Sequence, residues 1–75
     1  MPVYIGFVKK EVLEQKIAEA EAAGEHFSVG GPWEARRKLG SELKLFSSYQ
    51  EQQQDPDLLK YANDPDYKRI VLSGN

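Results

Sequence analysis

The chain has 75 residues with twelve acidic and ten basic side chains, net charge −2, no cysteine and one histidine. A chain of this length makes one domain with a small core, so its stability rests on tight packing or on self-association. The missing cysteines exclude disulfides, thiolate zinc sites and a cysteine nucleophile, and His26 alone cannot build a histidine metal cluster.

The opening run "VYIGFV" (3–8) is β-branched and aromatic and reads as a strand. Val3, Ile5 and Phe7 alternate with Tyr4, Gly6 and Val8, so both faces are apolar and both call for cover. Gly6 marks a bulge or a close approach of another element. "KKEVLEQKIAEAEAAG" (9–24) predicts a helix with Leu13, Ile17 and Ala20 on one face beside Val12, stopped by Gly24 in the left-handed conformation. Its acids come late, against the helix dipole, so packing is expected to hold it.

Residues 25–32, "EHFSVGGP", hold either a two- or three-residue strand around Phe27 and Val29 or an ordered connection. The glycine pair allows a sharp turn, and Pro32 suits the first position of the next helix. From there "PWEARRKLGSELKLFSSYQEQQQ" (32–54) carries Ala35, Leu39, Leu43, Phe46 and Tyr49 at steps of three and four. Gly40 interrupts at a cost of roughly 1 kcal/mol relative to alanine. A break there, with Ser41 capping a second helix, is the alternative. The stripe keeps its phase across the glycine, so one long helix is the expectation, with "QEQQQ" as an exposed, fraying last turn.

"DPDLLKYANDPDYKRI" (55–70) repeats Asp-Pro-Asp at nine-residue spacing. Asp is a strong N-cap, Pro is favoured just inside a helix, and a second Asp meets the positive end of the dipole. A short helix over 56–62 is expected, ended by Asn63 in the left-handed conformation, and Asp64-Pro65-Asp66 punctuates again. The tail "YKRIVLS" fits a helical face or a strand. A lone first strand would leave its backbone groups unpaired, so 68–73 is read as its ladder partner. The fold expected is a small single-domain α+β structure over 1–75, with the terminal strands paired and two main helices packed over them. An all-α bundle is the alternative.

The four aspartates do not spell a calcium loop. Counted from Asp55, the positions needing Gly and Glu hold Lys60 and Asp66. Helix capping explains them, and no metal or cofactor is expected. No Gly-x-Ser-x-Gly elbow occurs, and a serine triad would have to recruit His26 with Ser28 or a distant serine. The chain is therefore read as non-enzymatic. "SVGGPWEARR" resembles an anion-binding turn, but it lacks the phosphate-loop pattern and Glu34 stands at its mouth; a turn and a helix start account for it. Tyr4, Tyr49, Tyr61 and Tyr67 could stack on bases, yet no basic groove accompanies them.

On a helix over 32–54, Trp33, Arg36, Arg37, Gly40, Lys44 and Ser47 project together, roughly opposite the apolar stripe. Trp and Arg dominate binding hot spots, and small residues admit a close backbone. This face is the candidate partner-binding site. The plainer reading is a solvated face with Trp33 folded back on the core. The function expected is a small protein-binding regulator, adaptor or inhibitor, of the kind phages and plasmids carry as accessory proteins. Nucleic-acid binding through the same basic helix, and a structural role as a homo-oligomer subunit, are the alternatives. The middle of the chain holds four bases against three acids, too small an excess to mark a nucleic-acid footprint. No run approaches a membrane span, and the apolar-then-basic start reverses a secretory signal, so a cytoplasmic protein with no membrane partner is expected.

Overall fold

The computed structural model describes residues 3–73. Its elements run β1 (Val3–Lys9), α1 (Lys10–Ala22), α2 (Pro32–Leu39), a single 3-10 turn (Gly40–Glu42), β2 (Lys44–Ser47), α3 (Ser48–Gln52), α4 (Pro56–Ala62) and β3 (Tyr67–Ser73). The three strands form one antiparallel sheet in the order β2-β1-β3, a small α+β domain. The terminal strands pair as expected, over seven residues from Val3↔Ser73 to Lys9↔Tyr67 without a bulge. The tail is thus a strand, and the all-α alternative falls.

The alternation along β1 decides the architecture. Val8, with Tyr4, joins Ala35, Leu39, Leu43 and Leu72 in one cluster beneath α2. Ile5 and Phe7 join Leu58 in a second cluster on the opposite face, beneath α4. Both faces of the central strand are covered, as its two apolar sides require. Gly6 is a close approach: a Cβ there would sit 3.0 Å from Leu43 Cδ1 and 3.1 Å from Ile70 Cγ1. On the second face Phe7, Phe46 and Tyr61 surround one another with ring centroids 6.1–6.3 Å apart, and Tyr67 meets Tyr61 edge-on at 4.9 Å.

Several expectations fail, each for a local reason. The helix over 32–54 does not exist. It stops at Leu39 because Gly40 takes φ 63° and ψ −145°, far outside the helical basin. The chain continues not as a second helix but as β2, whose four pairs with β1 run from Tyr4↔Ser47 to Phe7↔Lys44. Leu39 and Leu43 do reach the core as the stripe implied, whereas Tyr49 ends on the surface, 63% exposed. The "QEQQQ" stretch is exposed at 52–54 as expected, but its start belongs to a separate helix, α3. Ser47 and Gln50 form a reciprocal capping box at the start of α3, and Gln50 Nε2 donates to Asp55 Oδ2 at 3.2 Å.

α1 is shorter than its pattern and buries no residue; Val12 and Leu13, near its start, are packed against the first cluster. Gly24 does turn left-handed, at φ 75°. Residues 25–31 form an ordered connection rather than a strand, with Phe27 and Val29 half-buried against the first cluster. α4 matches the expected span, but Asn63 stays right-handed at φ −92°. The two Asp-Pro-Asp stretches share one geometry. Asp55 Oδ1 accepts from the Asp57 N–H and Asp64 Oδ1 from the Asp66 N–H, each at 2.9 Å. The first opens a helix and the second a turn that delivers β3. No helix among the described residues is long and apolar enough to cross a membrane.

Candidate functional site

The six candidate residues do not share a helix face, because the helix that would align them breaks at Gly40. Trp33, Arg36 and Arg37 remain together on α2 and, with Glu34, line one shallow hollow. Gly40 sits at the break. Lys44 starts β2, and Ser47 is committed to capping α3. The expectation of one helix face carrying all six residues is therefore lost, while its Trp33, Arg36 and Arg37 part survives on α2.

Local sequence explains why that end faces outward. Ala35 and Leu39 are the inward positions of α2, buried to 0% and 3% exposure. Trp33 precedes Ala35 by two residues, roughly 200° around the helix, and lies 78% exposed. It is not folded back on the core. Arg36 and Arg37 are also exposed.

Glu34 is occupied differently. Its Oε2 accepts from the Gly30 N–H at 2.9 Å and its Oε1 meets Lys38 Nζ at 3.0 Å. The Lys38 bond, then the Gly30 bond, hold its carboxyl below the usual range. Lys38 also donates to the Ser28 carbonyl and lies 5.6 Å from the Phe27 ring centroid. Glu34 thus fills the glycine-rich turn from within and ties the connection to α2, so the resemblance to an anion site has a structural explanation.

Among the described residues, the ion pairs are Lys16–Glu19, Lys38–Glu34 and Arg69–Glu51. Arg36, Arg37, Lys44 and Lys60 belong to none of them. Three of these four border a second feature that sequence reasoning missed, an open groove of about 460 Å³ beside β2. It is lined by Leu43, Lys44, Leu45 and Phe46, by Arg36 of α2 and Ser41 of the 3-10 turn, and by Asp57, Lys60 and Tyr61 of α4. The groove was hidden because it depends on β2, which the helical stripe concealed.

The surface offers an exposed indole, guanidinium and ammonium groups and a shallow trough. His26 is exposed on the connection. Among the described residues no group of three or more His, Cys, Asp or Glu side chains is placed to hold a metal ion. Compared with family models, curated proteins and solved structures, the chain matches none of them.

Proposed function

We propose that the chain is a non-enzymatic protein-binding module, a cytoplasmic regulator, adaptor or inhibitor that acts by occupying a partner's surface. The observation that carries this reading is Trp33, 78% exposed on α2 beside Arg36 and Arg37. An exposed indole loses little entropy on binding and buries a large apolar area, and Trp and Arg are the residue types most enriched at binding hot spots. A partner with an acidic rim around an apolar pocket suits it.

The test is capture from the native host's lysate on the tagged chain, with and without nuclease, beside Trp33→Ala and Arg36→Glu/Arg37→Glu variants. One near-stoichiometric protein, nuclease-resistant and lost by both variants, is the expected result. Trp33→Ala alone should cost about 2 kcal/mol or more, the range of a hot spot. Equal capture by wild type and variants removes α2 as the binding face. Recovery that vanishes with nuclease assigns the cations to phosphates instead.

A further inference from the structure

We propose that the groove beside β2 receives an extended acidic segment of a partner protein, which joins the sheet as a fourth strand. This deepens the protein-binding reading and rests on it.

Side chains of consecutive strand residues point to opposite faces of a sheet. A trough lined by four consecutive residues, Leu43 to Phe46, therefore cannot lie on one face; it runs along the strand's edge. β2 is paired with β1 alone, so its other edge lacks a neighbour among the described strands. Residues from both layers line the same trough: Arg36 and Ser41 from the α2 side, and Asp57, Lys60 and Tyr61 from α4.

Backbone polarity supports the same reading. In an antiparallel strand the N–H groups alternate between the two edges. The Ser47 N–H is taken by Gln50 Oε1 at 2.9 Å rather than by β1. Leu45, two residues back, then directs its N–H and C=O to the open edge. It is the backbone group a fourth strand would engage.

Charge selects the occupant. Arg36, Lys44 and Lys60 border the trough against Asp57 alone, a local excess of positive charge on a chain that is acidic overall. An added strand bearing carboxylates at alternate positions presents them on one face, to Lys44 and Lys60 on the α4 side, while its apolar residues on the other face meet Leu45. A second copy of this chain would bring the same three cations face to face, which disfavours self-pairing through this edge.

The experiment is a titration of the whole chain, read by amide resonances and hydrogen exchange. The probe is a blocked peptide of alternating glutamate and valine, beside its lysine–valine counterpart and a glutamate–valine version with proline at its centre. The expected result is slowed exchange at the Leu45 amide and a preference of about tenfold or more for the glutamate peptide, from electrostatic complementarity. The proline peptide, which cannot donate at its centre, binds more weakly although the protein is unchanged. Lys44→Glu/Lys60→Glu, checked for an unaltered melt, reverses the charge preference. Equal binding of the acidic and basic peptides, or an unprotected Leu45 amide, overturns the proposal. So does a stable dimer whose Leu45 protection is lost on dilution, because the edge would then belong to a second copy. If a lysate partner is lost by Trp33→Ala yet kept by Lys44→Glu/Lys60→Glu, the edge proposal falls and the protein-binding reading stands. If no protein is captured at all, the protein-binding reading itself falls.

Discussion

At the scale of single residues, Gly40 decides more of this fold than any apolar position. Its φ of 63° with ψ −145° lies close to a region that essentially only glycine occupies, and apart from its own and its neighbouring residues no atom lies within 4 Å of where its Cβ would be. A side chain there would meet open space, so the whole penalty of substitution is backbone strain. Gly40→Ala should destabilise the chain by about 1–3 kcal/mol. In a urea titration the midpoint should fall with the slope unchanged. An unchanged midpoint would mean the α2–β2 junction tolerates another backbone path. The paired aspartates show how far one motif reaches: Asp55 and Asp64 make the same bond to the N–H two residues on. The residues after each bond decide whether a helix or a strand begins. Leu58 and Leu59 pack against the second cluster from a helix, whereas Tyr67 to Ser73 find β1 waiting.

At the scale of elements, the sequence was legible where one period acted alone. The alternation in β1, the need of its backbone for a partner, and the caps around α4 identified three elements and the terminal pairing. It failed where two periods overlap. Leu39, Leu43 and Phe46 satisfy helical spacing, yet the last two belong to a chain that has already turned extended. Both spacings bring Leu43 inward, and only tertiary context chooses: β1 has a second edge, and β2 fills it. Half of the candidate site went astray for the same reason. Trp33, Arg36 and Arg37 precede the break and stayed together, while Lys44 and Ser47 come after it and were re-aimed.

The misread turn also hides a tie between elements. Arg69 on β3 clasps Glu51 on α3 through two bonds, Nε to Oε2 at 2.8 Å and Nη2 to Oε1 at 2.9 Å. The Arg69 hydrogen bond, ahead of the smaller cost of burial, holds the Glu51 carboxyl below its usual range. A carboxylate lowered by folding contributes stability that is fully present above the unfolded chain's ordinary pKa. That contribution is lost as pH falls through the lowered folded value. Both side chains are substantially solvated, so the contribution at neutral pH is at most about 1 kcal/mol. Glu51→Gln should be less stable than wild type at neutral pH, and the gap should close in acid below the carboxylate range. Urea titrations at the two pH values measure this; a gap independent of pH would assign the loss to packing rather than charge.

At the scale of the whole molecule, the fold is two small clusters divided by one strand. β1 supplies Val8 to one cluster and Ile5 and Phe7 to the other, all at 2% exposure or less. Neither cluster is large enough to stand alone, and a domain of this size has about 4–11 kcal/mol to lose at the usual figure per residue. Sharing β1 should make the two clusters unfold as one. Leu39→Ala beneath α2 and Leu58→Ala beneath α4 each remove a buried leucine and should each cost about 2–5 kcal/mol. Both should lower a single transition rather than split it. Hydrogen exchange gives the sharper reading. β1 amides paired on both sides should open only with global unfolding, and both variants should speed them equally for equal loss of stability. The later turns of α1, an element with no buried side chain, should exchange by local opening and ignore either variant. If Leu58→Ala instead speeds exchange in α4 alone and leaves α2 and β1 at wild-type rates, the faces are separate folding units. β1 would then be a shared wall, not the element that couples them.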